Sequence, residues 1–378
     1  MQKEIIHEKN ILHELVERDS PSHQLQDLPS PNGPLMIASC RSGTNLAKKV
    51  VDLIIKQNIP KISGEETIFL KDVDFQFSDG ETCVRLEKDV NGRDVFLFQA
   101  LKDPTSNRNV DENYLAFLIA VRALREWGAK RITGVLPYLA YTRQDKPTTG
   151  KREPVTAELM ANLSIEAGID RLIVWAPHDR RVQGYYGKVS VNAISPLPFF
   201  LDQFQKFKDQ NDCIGIAPDA GAADLMIAFC RNLGIRCAIT SKHRPKPEQA
   251  DVTEVIGDFV GMKRAVILDD MINTGGTVKA AITKVINETD IEEVWLGVSH
   301  FLGSSKAIDT LQNLHSNYGL KGVYVTDSVP VGPDFAKLDF TRVFSIDKPL
   351  FEIIKNIHLN KHLNKVLDEP NPILTIKD

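Results

Sequence analysis

The stretch AVILDDMINTGGT at residues 265–277 limits the possible folds of this chain more than any other segment. It opens with the apolar residues Val266, Ile267 and Leu268, a run typical of a buried parallel strand. Asp269 and Asp270 then place two carboxylates at the predicted end of that strand. Beyond residue 277 apolar residues recur at helical spacing, so the segment predicts a strand, an acidic end, a small turn and a helix.

The turn before the helix consists of Asn273, Thr274, Gly275, Gly276 and Thr277. Free N–H groups and the helix dipole favour an anion at a helix N-terminus, and glycine lets the backbone approach a ligand closely. The preceding aspartates would repel a phosphate, but they suit sugar hydroxyls or the water shell of magnesium. The segment therefore predicts a sugar phosphate site. The alternative is an acidic, Gly-rich turn that binds nothing.

Composition excludes several other classes of protein. The chain of 378 residues is long enough for two domains, and its net charge of −4 gives no general attraction to nucleic acid or anionic membranes. Its five cysteines are scattered without C-x-x-C spacing, which favours reduced thiols in a cytoplasmic protein. No apolar run reaches the length of a membrane span, so we expect no membrane partner.

Strand-like apolar runs alternate with amphipathic helical patterns from residue 35 onward. This alternation predicts an α/β fold with doubly wound, mainly parallel sheets and ligands at the carboxyl ends of the strands. We expect an N-terminal extension and linker at 1–34, domains at 35–193 and 194–367, and a tail at 368–378. The predicted strands are 35–38, 94–99, 132–137, 172–176, 214–217, 265–268, 293–298 and 322–325.

Four further motifs carry side chains suited to phosphate chemistry, although each has a simpler interpretation. Considered alone, the segment FSDGE at 77–81 is typical of a solvated turn. The segment RQD at 143–145 is typical of a surface loop with an ion pair. His178 follows a strand and could be a structural hydrogen-bonding residue, while Asp219 could equally cap a helix. The basic run KHRPK at 242–246 could be a solvated loop, although its cations repel one another unless an anion is near.

The segment at 265–277 resembles the ribose-phosphate loop of type I phosphoribosyltransferases and of ribose-phosphate diphosphokinase (PRPP synthetase). The other motifs occur in the order found in PRPP synthetases, from about residue 35 to 368. The resemblance implies two tandem phosphoribosyltransferase-like domains. It departs at Asn273, where the family usually has an acidic residue, and at Ala176, where an aspartate is common.

The resemblance also implies roles for individual residues. Asp269, Asp270 and the loop Asn273, Thr274, Gly275, Gly276 and Thr277 would bind ribose 5-phosphate. Phe77, Asp79, Glu81, Arg143 and Gln144 would contact ATP, with the FSDGE segment reaching into a neighbouring subunit. His178 and Asp219 would hold Mg²⁺, and Lys242 and Arg244 would stabilise the transferring group.

The expected function is therefore that of a ribose-phosphate diphosphokinase, which transfers the diphosphoryl group of ATP to ribose 5-phosphate and releases AMP. We expect a cytoplasmic homo-oligomer, dimeric or hexameric, with no nucleic-acid partner. Two alternatives remain at this stage. One is a non-catalytic regulatory homologue, and the other is a phosphoribosyltransferase that consumes PRPP.

Overall fold

The computed structural model of the chain describes residues 30–57, 67–246 and 249–363, with the backbone alone at 241–246 and 249–253. Most of the predicted extension at 1–34 and all of the tail at 368–378 lie outside this part of the chain. Within the described residues, no helix is both long and apolar enough to cross a bilayer.

The described elements alternate between strands and helices, as the sequence predicts. The strands are β1 (Leu35–Ser39), β2 (Ile68–Leu70), β3 (Asp74–Gln76), β4 (Thr82–Val84), β5 (Asp94–Phe98), β6 (Arg131–Val135), β7 (Arg171–Trp175), β8 (Ser190–Ile194), β9 (Cys213–Ala217), β10 (Arg236–Lys246), β11 (Gln249–Ile256), β12 (Arg264–Ile272), β13 (Glu293–Phe301), β14 (Leu320–Thr326) and β15 (Thr341–Phe344). The α-helices are α1 (Thr44–Lys56), α2 (Val110–Glu126), α3 (Thr156–Ala167), α4 (Leu197–Gln203), α5 (Ala223–Leu233), α6 (Gly276–Glu288), α7 (Ser305–Asn317), α8 (Pro333–Ala336) and α9 (Asp347–His358).

Two large sheets organise these elements. The first has six strands in the order β2-β1-β5-β6-β7-β8, and the second has seven in the order β11-β10-β9-β12-β13-β14-β15. All neighbouring strands are parallel except the β10–β11 pair, and β3 and β4 form a separate antiparallel hairpin. The α/β fold with two mainly parallel, doubly wound sheets is therefore confirmed.

Helix α2 illustrates how local sequence sets these elements. Its N-terminus is a capping box, in which Glu112 N donates to Asn109 Oδ1 (3.0 Å) and Asn109 N donates to Glu112 Oε2 (2.7 Å). Its apolar face is buried at Tyr114, Phe117, Val121 and Leu124, and these side chains join the core beside the first sheet. Capping and apolar spacing thus act together to dock the helix.

The C-terminal helix α9 packs on the first sheet, although it follows the second sheet in the chain. Its Leu350, Ile353 and Ile354 share an apolar core with residues of β1 and α1. The C-terminal part of the chain thus contributes to the core of the first sheet. The domain boundary predicted at residue 193 stays a prediction.

A buried ionic cluster fixes the end of α9 to the first sheet. Asp94 is fully buried, and Arg131 donates to both of its carboxylate oxygens, at 2.8 and 2.6 Å. The imidazole Nδ1 of His358, at the end of α9, lies 2.8 Å from Asp94 Oδ2. A buried carboxylate with this set of partners is costly to disrupt, because its removal leaves a guanidinium without its counter-charge.

We predict that Asp94→Asn lowers the free energy of unfolding by about 3 kcal/mol, as measured by urea denaturation. The matched control is Glu292→Gln, which removes an exposed pair with Lys263 and should cost about 0.5 kcal/mol or less. Equal small effects of the two substitutions would show that the Asp94 cluster does not hold α9 in place.

Candidate functional site

The predicted sugar phosphate loop lies at the carboxyl end of β12, in the middle of the second sheet. Strand β12 extends to Ile272, beyond its predicted end at 268, because it continues to pair with β13 as far as Phe301. Asp269 and Asp270 therefore lie within the last part of the strand, and the turn is shortened to 273–275. Helix α6 begins at Gly276.

Hydroxyl groups from α7 and its cap hold this turn from behind. Ser304 Oγ, at the N-cap of α7, donates to the carbonyl of Asn273, and Thr310 Oγ1 lies 3.2 Å from the carbonyl of Thr274. Gly275 has a φ of +79°, in the left-handed region, and a Cβ there would lie 3.0 Å from Thr310 Cγ2. The loop therefore requires glycine for its backbone angle and for its close approach to α7.

A cavity of about 200 Å³ opens in front of the loop. Its lining is Arg143, His178, Asp219 and the continuous segment 269–278. The loop, both aspartates, the two predicted metal residues and one predicted ATP residue are thus brought together. They come from the ends of β6, β7, β9 and β12, which belong to both sheets.

An ion pair joins the two sheets across this cavity. His178 Nδ1 is hydrogen-bonded to Asp270 Oδ2, and the two side chains are 41% and 28% exposed. The hydrogen bond to Asp270 raises the pKa of His178, although burial acts to lower it. Burial acts to raise the pKa of Asp270, but the hydrogen bond and charge of His178 outweigh it and lower the pKa. Both groups are therefore biased toward their charged forms, facing the cavity.

Asp219 caps a turn and also lines the cavity, so its predicted metal role stays a prediction. Its Oδ1 accepts hydrogen bonds from the backbone N–H groups of Gly221 (3.0 Å) and Ala222 (3.3 Å), so it caps the short 3₁₀ turn Ala220–Ala222. The same side chain lines the cavity. Among the described residues, no group of three or more His, Cys, Asp or Glu side chains could hold a metal ion by itself.

The remaining predicted ATP residues do not line this cavity. Gln144 follows Arg143, but it accepts a hydrogen bond from Thr156 Oγ1 (2.6 Å) and does not line the cavity. Phe77, Asp79 and Glu81 occupy the turn of the β3–β4 hairpin, where Phe77 is 51% exposed. Within one chain, these four residues are not brought to the loop at 273–277.

Lys242 and Arg244 lie in strand β10, where the sequence suggested a basic loop. Strand β10 runs to Lys246 because antiparallel pairing with β11 supplies its backbone partners, with Lys242 opposite Val252. The side chains of Lys242 and Arg244 lie outside the described part of the structure, so their predicted contacts stay a prediction.

Sequence reasoning missed His300, which supports the site from behind. This fully buried residue of β13 lies with Nε2 3.0 Å from the carbonyl of Ala176 and Nδ1 2.8 Å from Ser328 Oγ. Because a carbonyl can only accept, Nε2 carries the proton. Burial lowers the pKa of His300 to about 4, which keeps the ring neutral. Its signal in the sequence, one histidine after an apolar run, is too weak to separate it from other histidines.

Known proteins with similar sequences and structures agree with this arrangement. Residues 35–168 match the family described as the N-terminal domain of ribose phosphate pyrophosphokinase. A ribose-phosphate pyrophosphokinase of Gloeobacter violaceus is 36% identical over 283 residues, which are 75% of this chain and 81% of the relative. One from Fusobacterium nucleatum is 32% identical over 295 residues, covering 78% and 89%.

The structural comparison covers more of the chain than the sequence comparisons. The crystal structure of phosphoribosylpyrophosphate synthetase from Mycobacterium smegmatis superposes with a TM-score of 0.72 at 26% identity, over 86% of this chain and 99% of that one. A match over this share of the chain cannot leave out either of the two sheets. Together these likenesses show that the chain belongs to the ribose-phosphate pyrophosphokinase family.

Proposed function

We propose that this protein transfers the diphosphoryl group of ATP to ribose 5-phosphate, giving 5-phosphoribosyl diphosphate (PRPP) and AMP. Its membership of the pyrophosphokinase family supports this reaction. The observation that carries the proposal is the cavity that joins the loop at 273–277 to Arg143 and His178 of the other sheet. Such a site can hold a sugar phosphate on one side and a polyphosphate on the other.

Ribose 5-phosphate would bind with its phosphate on the backbone of the loop and its hydroxyls toward the strand end. The N-terminus of α6 supplies N–H groups and a positive dipole end for the phosphate. Asp269 and Asp270 lie near the end of β12, just before the loop, where their carboxylates can accept hydrogen bonds from ribose hydroxyls. Asn273 is an amide and cannot act as a general base.

His178 and Asp219 would bind Mg²⁺ together with the phosphates of ATP. Magnesium prefers oxygen ligands and keeps several waters, so one carboxylate, one further side chain and substrate oxygens are a chemically adequate set. For this role the ring would have to be neutral, with Nδ1–H donating to Asp270 and Nε2 free to bind, so Mg²⁺ would displace the proton that the contact with Asp270 favours. When bound, the ion would neutralise charge on the phosphates.

ATP would lie between Arg143 and residues supplied by a second subunit. Arg143 lines the cavity and offers a guanidinium suited to phosphate oxygens. The exposed turn carrying Phe77, Asp79 and Glu81 does not line the cavity of its own chain, which fits a turn that completes a neighbour's site. We therefore propose a homo-oligomer, dimeric or hexameric, in the cytoplasm.

In the chemical step, the anomeric hydroxyl oxygen of the ribose attacks the β-phosphorus of ATP. A bond forms between these two atoms, and the bond from the β-phosphorus to the α,β-bridging oxygen breaks, so that AMP leaves with that oxygen. The hydroxyl proton passes to solvent. Lys242 and Arg244 would stabilise the charge on the transferring group, since such reactions depend chiefly on positioning and charge neutralisation.

Incubation with ATP, Mg²⁺ and ribose 5-phosphate should produce AMP and PRPP in equal amounts, resolved by anion-exchange chromatography. Omission of ribose 5-phosphate is the control for simple ATP hydrolysis. A protein that binds both substrates but forms neither product would be a non-catalytic homologue. Consumption of added PRPP with a nucleobase would instead indicate a phosphoribosyltransferase.

We predict that Gly275→Ala weakens ribose 5-phosphate binding about tenfold or more, measured by calorimetry, because the new methyl group would push the loop off Thr310. Gly261→Ala is a matched control, since Gly261 has a φ of +75° and open space around its Cβ position. Both substitutions should destabilise the fold by about 1 kcal/mol. Unchanged binding in Gly275→Ala would remove the loop from the proposed phosphate site.

We predict that Lys242→Ala and Arg244→Ala each lower kcat about 10³-fold while ATP binding changes little, because their cations act on charge that develops during transfer. Lys246→Ala, in the same basic run, is the control and should stay within about twofold of the wild type. Steady-state kinetics and nucleotide binding provide the measurement. Full turnover in both variants would show that these two residues do not form the clamp.

A further inference from the structure

Two cysteines lie side by side where helix α5 packs on the second sheet. Cys230 is near the end of α5, and Cys237 is near the start of β10. Cys237 pairs with Gly215 of β9, so its side chain leaves the sheet on the face that a side chain at Gly215 would occupy. A Cβ at Gly215 would lie 2.2 Å from Cys230 Sγ, so this sulfur rests on the same face. The glycine thus lets the two thiols meet.

The two thiols interact directly, and the contact makes them chemically unequal. The hydrogen bond with Cys230 lowers the pKa of Cys237, although burial acts to raise it. The same hydrogen bond and burial raise the pKa of Cys230. Cys230 Sγ also lies 3.5 Å from Met226 Sδ, so its S–H group has sulfur acceptors in reach. Cys237 is therefore the partner that forms a thiolate more readily, while Cys230 stays a thiol.

Solvent exposure distinguishes Cys237 from the other cysteines. All five belong to the described part of the chain, and Cys237 is the exposed one. Cys40 and Cys213 are buried, and burial raises the pKa of both, to about 12 for Cys213. Cys83 is half-buried. Cysteines that react with oxidants are accessible, form thiolates readily and often have a second cysteine beside them. Cys237 has all three properties, with Cys230 as its neighbour.

We propose that Cys237 is an oxidation site for peroxides and that Cys230 is its resolving cysteine. The Cys237 thiolate attacks one oxygen of hydrogen peroxide, the O–O bond breaks, and hydroxide leaves, so the sulfur is oxidised to a sulfenic acid. The sulfur of Cys230 then attacks the sulfur of Cys237. A disulfide forms, the S–O bond breaks, and the leaving hydroxyl takes the Cys230 proton as water. Two thiols and one peroxide thus give one disulfide and two waters.

The first step of this reaction prepares the second. The interaction with the Cys237 thiolate is the main cause of the raised pKa of Cys230, and it is lost once Cys237 is a sulfenic acid. The attack then occurs between neighbouring groups of one chain, which removes the entropic cost of an encounter. Disulfides in a reducing compartment are usually transient and serve redox sensing. Cellular thiols can reverse the bond by exchange.

The disulfide would join two elements of the proposed transfer site, and this consequence rests on the proposed function. Helix α5 follows the turn capped by Asp219, and β10 continues to Lys242 and Arg244. Bonded sulfurs are about 2.05 Å apart, closer than two thiols in contact, so the bond draws α5 and β10 together. We therefore expect oxidation to cause a loss of turnover that dithiothreitol reverses.

Peptide mass spectrometry of the full chain after treatment with hydrogen peroxide tests the proposal. Free thiols are alkylated, and the digest is analysed without reduction. Trypsin cleaves after Arg231 and Arg236, so the two cysteines fall in separate peptides, which the bond should link with the loss of two hydrogen atoms. In Cys230→Ala the link should be lost, and dimedone should trap a sulfenic acid at Cys237. The matched control Cys213→Ala replaces another buried cysteine and should keep the link. Thermal melting checks that each variant is folded.

Three results would overturn the proposal. They are an alkylated Cys237 in the peroxide-treated wild type, a link from Cys237 to any cysteine other than Cys230 of the same chain, or equal dimedone labelling of the wild type and Cys230→Ala. Electrophoresis without reductant detects a link between two chains as a dimer. Peptide mapping does not depend on turnover, so its failure is distinct from failure of the transfer reaction. A disulfide that forms without a change in turnover would contradict the connection to the transfer site.

Discussion

The site depends on a buried hydrogen bond between the two sheets, from His300 of β13 to the carbonyl of Ala176 at the end of β7. Ala176 has a φ of +42°, an angle that residues with a side chain adopt only under constraint. The neutral imidazole supplies that constraint, since its Nε2–H must find an acceptor in a place closed to water. The backbone that follows then turns His178 toward Asp270 of the other sheet. The hydrogen bond from His300 to Ala176 thus helps to set the position of His178, two residues further along the chain.

The arrangement of charge across the cavity explains how one fold can hold two anionic substrates. The start of α6, with its main-chain N–H groups, lines the cavity together with Arg143 and His178. Asp219, Asp269 and Asp270 line the same cavity, where hydroxyls or a hydrated cation would compensate the charge of their carboxylates. The carboxyl ends of parallel strands make this possible, because they bring residues distant in sequence to one edge.

Much of this organisation could be predicted from the sequence because it follows from local patterns of apolar residues. The eight predicted strands correspond to β1, β5, β6, β7, β9, β12, β13 and β14, whose apolar runs are buried on both faces. The strands that were missed are short or partly polar, such as Asp74–Gln76 and Thr341–Phe344, and they lie at sheet edges or in a hairpin. Their pairing depends on neighbours rather than on their own composition.

The contacts between sheets could not be predicted in this way. His178 and Asp270 are far apart in the chain, and nothing in either segment specifies how the two sheets face each other. The buried role of His300 and the support of the loop by Ser304 and Thr310 are equally non-local. The resemblance at residues 265–277 predicted the chemistry of the loop, and the fold was needed to show which residues of the other sheet line the same cavity.

The most direct measurement is a crystal structure of the protein soaked with ribose 5-phosphate. The account predicts phosphate density against the backbone N–H groups of residues 273–277, with the ribose hydroxyls within hydrogen-bond distance of Asp269 or Asp270. An empty cavity at saturating concentration, or a phosphate bound elsewhere on the chain, would contradict it.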